Sequence, residues 1–179
     1  IPTRNRGKYL NTLLEVLMKQ TLNLNVNVYV RDNKSTDDTF DIVEKYQGIY
    51  TNLFYMKNEI NVGADVNFLL MINSCIEDYF WIFGDDEILL PDGLLTVIHQ
   101  LTFSPDYLIL EKNERKYYDF HSYVEKQFST NPFNLIQCTL NTSNIIKKSV
   151  FDLDFASAKL TTHYGHMYGI AKSLSDISC

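Results

Sequence analysis

Three acids stand in a row directly after an apolar run: Gly84-Asp85-Asp86-Glu87 follows Tyr79-Phe80-Trp81-Ile82-Phe83. Carboxylates pressed together at the end of a buried strand repel one another, and some must take up protons unless a cation neutralises them. A hard divalent cation, Mg2+ or Mn2+, resolves the conflict with one or two of these carboxylates and supplies positive charge for a phosphate. The plainer alternative is an acidic cap on a helix beginning at Pro91. Further polar clusters stand at Thr3-Arg4-Asn5, at Asp32-Asn33 and at Asn58 with Asn61. Each alone is ordinary loop chemistry; four together on one rim are harder to dismiss.

The elements that must position these residues alternate. Leu10, Leu13, Leu14, Leu17 and Met18 share one helical face. Val26, Val28 and Val30 alternate as a strand ending at Arg31-Asp32. Ser35-Thr36-Asp37-Asp38 is a helix-start signal, with Phe40, Val43 and Tyr46 as the buried side. A strand follows at 53–56, then a helix after Gly63 whose face is Val66, Leu69, Leu70 and Asn73. The run 79–83 reads as a strand at the sheet centre, covered on both faces. Pro91 opens a helix with Leu94, Leu95 and Ile98 inward, and 107–110 is the next strand. This β-α-β-α-β-α-β order predicts a mostly parallel α/β sheet, whose ligands bind beyond the carboxyl ends of the strands. The four polar clusters fall there. The pattern breaks after Leu110, with Ser104-Pro105-Asp106 as punctuation, and an irregular or antiparallel region is expected beyond.

Composition narrows the chemistry. The 179 residues carry 16 Lys+Arg against 22 Asp+Glu, a formal charge of −6, which excludes an electrostatic nucleic-acid binder. Hydrophobic residues at 45% and aromatics at 13% exclude a disordered chain. No apolar run approaches the about 18 residues of a membrane span. Cys75, Cys138 and Cys179 form no CxxC pair, which fits reduced thiols in the cytoplasm. The first methionine, Met18, lies inside a helical pattern, so Ile1 is not expected to be the native start and a first strand is expected ahead of Pro2. No G-x-G-x-x-G follows a strand and no G-x-x-x-x-G-K-[ST] occurs, which disfavours dinucleotide oxidoreductases, typical methyltransferases and P-loop NTPases. A nucleotide-binding α/β domain without a glycine cradle needs another way to neutralise a diphosphate, and a metal on Asp85-Asp86-Glu87 provides it.

Taken in order, Ile1-Pro2-Thr3-Arg4-Asn5-Arg6, Asp32-Asn33-Lys34-Ser35-Thr36-Asp37-Asp38-Thr39, Asn61-Val62-Gly63 with Asn67, and Trp81-Ile82-Phe83-Gly84-Asp85-Asp86-Glu87 with Pro91 resemble glycosyltransferase family 2. The match covers residues 1–102 in order and spacing. Its G-D-D-E form most resembles the bacterial O-antigen and capsule branch that includes abequosyltransferases. The resemblance implies a GT-A fold, with 1–102 as the nucleotide-sugar-binding half and 103–179 as an incomplete acceptor-binding region of one domain. It implies that Thr3 and Asp32 lie at the nucleobase, with UDP or GDP weakly favoured, and that Pro2 and Asn5 belong to the nucleotide-sugar-binding set. It also implies that Asn61, Gly63 and Asn67 face the nucleotide sugar and that Arg6 lies near the diphosphate. Asp85 then stands near ribose and metal, Asp86 is the main ligand of Mn2+ or Mg2+, and Glu87 is a second. Two departures stand out: Gly84 occupies a place where the family commonly has an acid, and the usual C-terminal Glu-Asp pair is not evident.

The implied chemistry is inverting transfer, in which an acceptor hydroxyl attacks the anomeric carbon in line while a general base takes its proton. The base would come from Thr161-Thr162-His163-Tyr164-Gly165-His166-Met167, with His163 and His166 as candidates because imidazole titrates near neutral pH. Each is equally well a packed or surface histidine. Asp152 and Asp154 are weaker candidates, because residues 151–155 read as simple alternation. Lys147-Lys148, and Lys112 with Arg115-Lys116, are solvated surface or contacts to a lipid-linked acceptor, allowing peripheral membrane association. Tyr117, Tyr118, Phe120 and Tyr123 either stack on a saccharide acceptor or pack a small core. The competing classes are a non-catalytic nucleotide-sugar-binding domain and a metal-dependent nucleotidyltransferase.

Overall fold

The computed structural model describes residues 1–110, 143–160, 169 and 172. The chain forms two compact units, each built from separate stretches: Ile1–Cys75 with Phe83–Ser104, and Ile76–Ile82 with Pro105–Cys179.

In the first unit, β1 (Pro2–Thr3), β2 (Val28–Asp32) and β3 (Leu53–Lys57) form a parallel sheet in the order β1-β2-β3. The register sets Thr3 beside Asp32 and Asp32 beside Lys57, so three polar side chains line up at the carboxyl end. Alternation explains the buried face: Val28, Val30 and Asp32 point in, while Tyr29 stacks on Phe54 at 5.1 Å on the other side. Strand pairing reaches the very residues that were expected to follow a first strand. Arg31 N–H donates to the Ile1 carbonyl at 2.9 Å, and Pro2–Thr3 themselves pair with β2.

The helices form where their apolar stripes predict. In α1 (Gly7–Thr21), Leu10, Leu13, Leu14, Leu17 and Met18 are all buried. α2 (Thr39–Gln47) lies so close that a Cβ on Gly7 would stand 2.3 Å from Asp38 Oδ1 and 2.9 Å from Ile42 Cδ1. A side chain there would push the Asp38 and Ile42 side chains aside. α4 (Gly93–Leu101) is tied to α1 through Gln20, whose amide donates to the Leu90 carbonyl at 2.9 Å and accepts from Leu94 N–H at 3.1 Å.

Several local expectations are corrected. α2 begins at Thr39, and the Ser35 hydroxyl accepts from Asn5 N–H instead of capping the helix. Phe40 is exposed against Tyr55; Thr39, Val43 and Tyr46 form the buried side. α3 (Ala64–Ser74) buries Asp65, Asn67, Leu69, Met71 and Ile72, a face rotated from the apolar one because a polar network claims Asn67. Asn73 is exposed. Pro91 lies in the turn before α4, and Leu95 faces out.

In the second unit, β4 (Tyr79–Trp81), β6 (Asn144–Lys147) and β5 (Tyr107–Ile109) form an antiparallel sheet in the order β4-β6-β5. The run 79–83 therefore yields a three-residue strand with an antiparallel partner, not the centre of a parallel sheet. An apolar run records burial but not the direction of its neighbour. A 3-10 turn, Lys148–Val150, leads to α5 (Leu153–Ala158), which Asp152 caps by accepting from Phe155 N–H at 2.8 Å. The alternation read over 151–155 is thus a helix start. Phe80 meets Phe151 edge-on at 5.2 Å.

Candidate functional site

The three acids stand in and just after a tight turn. Glu87 N–H donates to the Gly84 carbonyl at 3.3 Å, closing a turn with Asp85 and Asp86 at its corners. The turn sends Asp85 inward and leaves Asp86 in solvent. A Cβ on Gly84 would meet Glu87 Cγ at 3.0 Å and Asp86 Oδ1 at 3.3 Å, so the glycine keeps the turn uncrowded.

The first strand and first helix supply Asp85 with partners. Thr3 Oγ1 donates to Asp85 Oδ2 at 2.8 Å. Arg6, the residue that opens α1, lays its guanidinium across both acids: Nε stands 2.9 Å from Asp85 Oδ1 and Nη2 stands 2.5 Å from Asp86 Oδ2. It also packs over the Tyr9 ring at 4.7 Å. The Nε contact is close but misaligned, and Arg6 Nε is the buried side-chain polar atom without a hydrogen bond among the described residues. Burial pushes the Asp85 carboxyl above its ordinary pKa; Thr3 and Arg6 oppose the rise, and Asp86 adds to it. Burial works against the Arg6 charge, yet Asp85 and Asp86 together raise its pKa.

Asp32 sits one strand away and is 0% exposed. Its Oδ1 accepts from Ser35 N–H at 2.7 Å and its Oδ2 from the Tyr55 hydroxyl at 2.5 Å, with Lys57 Nζ at 3.8 Å. Burial pushes the Tyr55 phenol up, and the bond to Asp32 and its charge push it further. Tyr55 and Lys57 were not singled out in the sequence. The signal was there in β3, whose alternation in parallel register with β2 puts both on the Asp32 face.

The remaining residues of the resemblance hold the loops. Asn5, at φ 52°, accepts from Thr36 N–H at 2.8 Å and so joins the β1 loop to the β2 loop. Asn33, Asn58, Asn61 and Asn67 form a chain of amides. Asn33 donates to Asn61 at 2.8 Å and to the Gly63 carbonyl at 3.1 Å, and Asn58 donates to Asn33 at 3.1 Å and to Asn67 at 2.8 Å. Asn67 donates to the Arg31 carbonyl at 3.2 Å. Gly63, at φ 83°, ends this loop in a conformation that suits glycine. Asn67 is buried, whereas Asn61 and Gly63 lie on the surface. Pro2 lies in β1 beside Arg31.

The structure thus brings Thr3, Arg6, Asp85 and Asp86 together, and separately Asp32 with Ser35, Tyr55 and Lys57. His163 and His166 lie outside the described residues, as do Lys112, Arg115, Lys116 and the aromatics 117–123. Lys147 pairs with Asp106 at 3.3 Å, and the Asp152 carboxylate caps α5. Among the described residues no three His, Cys, Asp or Glu side chains are grouped to hold a metal. Asp85 and Asp86 nevertheless converge on one cation, the Arg6 guanidinium, and two carboxylates are an ordinary protein contribution to Mg2+ or Mn2+.

A parallel sheet flanked by helices, with its polar rim at the strand ends, defines an α/β domain of the GT-A glycosyltransferase type. The chain belongs to Glycosyl transferase family 2, whose model matches residues 1–159. It is 28% identical over 192 aligned residues to Abequosyltransferase RfbV of Salmonella typhimurium, covering 94% of this chain and 58% of that protein. Staphylococcus aureus TarS 1-349 shares the fold at a TM-score of 0.67 and 21% identity, over 97% of this chain and 53% of that one. That protein has also been solved with UDP and with UDP-GlcNAc. The mannosyltransferase PcManGT of Pyrobaculum calidifontis, solved with GDP-Man and Mn2+, has a TM-score of 0.63 at 15% identity, over 93% of this chain and 48% of that one. The chain spans about half the length of the relatives it matches. Among the described residues no helix is long and apolar enough to cross a membrane.

Proposed function

We propose that this chain carries the donor-binding part of a metal-dependent, inverting glycosyltransferase. Its sugar comes from a nucleotide-diphosphate donor and goes to a saccharide or lipid-linked acceptor in bacterial surface polysaccharide synthesis. One observation carries the reading: in a family 2 chain, Asp85 and Asp86 converge on a single cation at the strand-end rim. The nucleotide sugars and Mn2+ in the TarS and PcManGT structures support the ligand class, and the abequosyltransferase relative supports the polysaccharide setting. A cytoplasmic site, at the inner face of the plasma membrane where the acceptor is lipid-linked, agrees with a chain whose three cysteines form no CxxC pair.

In this reading Asp85 and Asp86 hold Mn2+ or Mg2+, with Glu87 within sequence reach as a further ligand. When bound, the ion stabilises the charge of the departing diphosphate. Pro2, Thr3, Asn5 and Asp32 shape the nucleobase end. Both oxygens of Asp32 already accept hydrogen bonds, so a nucleobase contact there requires the Tyr55 hydroxyl to yield or share Oδ2. The amide chain through Asn61, Gly63 and Asn67 fixes the loop that borders the sugar. The proton of the attacking hydroxyl goes to His163 or His166.

Calorimetry with UDP, GDP and CDP, with and without Mn2+, tests the donor half. The expected result is nucleoside-diphosphate binding that needs Mn2+ and disappears in Asp86→Asn. Binding that is indifferent to both metal and substitution sinks the metal assignment. Slow donor hydrolysis, lost in His163→Ala or His166→Ala, separates an enzyme from a binder.

A further inference from the structure

Arg6 occupies the position that the metal reading reserves for a cation. Its guanidinium spans both carboxylates from the start of α1, with Nε within 2.9 Å of one and Nη2 within 2.5 Å of the other. Two features make that hold replaceable. The side chain is 40% exposed, so it has room to leave. Its Nε also forms no aligned hydrogen bond, so the attraction to Asp85 is Coulombic and lacks the fork geometry that makes arginine–carboxylate pairs strong. The Tyr9 ring, 4.7 Å from the guanidinium, packs against it in this resident position.

We propose that Arg6 is a resident counter-cation of the Asp85–Asp86 pair that couples metal binding to nucleotide binding. The inference rests on the metal reading above and adds a residue-level consequence. A divalent ion and the guanidinium cannot both sit between the two carboxylates, so metal entry displaces Arg6. Without a nucleotide, that displacement strips a partly buried cation of two anionic partners, and the ion binds weakly. With a nucleotide, the freed guanidinium meets the diphosphate, a bidentate oxyanion partner suited to it. Arg6 thus serves first as a counter-cation of the acids and then as a diphosphate contact. It disfavours metal on the empty protein and favours metal arriving with its diphosphate.

Free Mn2+ measured by electron paramagnetic resonance tests this on the whole chain, with Mn2+ alone and then with UDP or GDP added. Arg6→Gln is expected to bind Mn2+ alone at least about tenfold more tightly than the native chain, because a competing unit charge is gone. Arg6→Lys, which keeps the charge but not the planar guanidinium that spans both carboxylates, falls between them. The nucleotide should tighten Mn2+ binding less in Arg6→Gln than in the native chain. Equal Mn2+ affinities in native and Arg6→Gln chains, with binding still lost in Asp86→Asn, overturn the role of Arg6 and leave the metal site standing. Mn2+ binding untouched by Asp86→Asn removes the metal site and this inference with it. Matching thermal melts of the variants exclude misfolding as the cause of any difference.

Discussion

At the scale of single residues, the demanding group is Asp32, a carboxylate with no exposed surface. A charge withdrawn from water must recover its solvation from the protein. Here the sources are the Ser35 amide, the Tyr55 hydroxyl and, farther off, the Lys57 ammonium. Removing the hydroxyl leaves one buried lone pair unanswered. Tyr55→Phe is therefore expected to cost about 1.5–3 kcal/mol, the range for a hydrogen bond to a charged group, read from the denaturant midpoint at unchanged slope. The sign of the pH effect follows from the raised phenol. A group whose folded pKa lies above its unfolded value contributes stability that is present below the unfolded value and lost as pH rises through the folded one. The native chain should therefore lose stability in alkali more steeply than Tyr55→Phe. Its phenolate absorbance should show a late-titrating tyrosine that the variant lacks; coincident titration curves would refute the contact. Asp32 itself was legible in the sequence as a polar strand end. The burial of its charge was not, because that depends on which strand lies next to it and in what register.

At the scale of elements, Asp37 ties two helix starts together. Its Oδ2 accepts from Gly7 N–H at 3.0 Å, the first amide of α1, and its Oδ1 accepts from Thr39 N–H at 3.2 Å and the Thr39 hydroxyl at 2.6 Å, at the start of α2. One carboxylate thus faces the positive ends of both helix dipoles. Burial alone would raise its pKa, but the Thr39 and Gly7 bonds outweigh it and hold the value below the ordinary one. A depressed pKa contributes stability above the unfolded value and loses it as pH falls through the folded one. Asp37→Ala should cost about 1 kcal/mol near neutrality, as for a lost helix cap. The gap to the native chain should narrow as pH falls below the ordinary Asp range, and a gap that stays constant across that range would count against the ion. The Ser35-to-Asp38 stretch announced a helix start, and the helix is there. Which side chain serves which amide was illegible, because one of the two amides belongs to α1. The face of α3 was misread for the same kind of reason. The expected face carried Asn73, which is exposed; Asn67 takes the interior place because partners from β2 and the β3 loop satisfy it there.

At the scale of the molecule, the chain order and the compact units do not coincide. The chain leaves the first unit after Cys75, returns at Phe83 and leaves again after Ser104. The parallel sheet was readable from the repeated strand–helix alternation, because each crossover is local and one-handed. The second sheet was not, because β4 pairs with β6, a strand that follows it only after α4 and β5. A chain ended after Ser104 therefore tests the architecture directly. It keeps every residue of the first unit but strands β4 without β6 and β5, the other two members of its sheet. Phe80 loses its ladder to Ile146 and its edge contact with Phe151, leaving an unpaired apolar strand edge. Exposed edges of that kind recruit other chains. The shortened protein should therefore self-associate in size-exclusion chromatography and bind a hydrophobic dye that the longer chain does not. Replacing Phe80 and Trp81 with polar residues in the shortened chain should restore a monomer. A shortened chain that stays monomeric, dye-silent and cooperatively folded without those replacements would mean that β4 does not depend on β6.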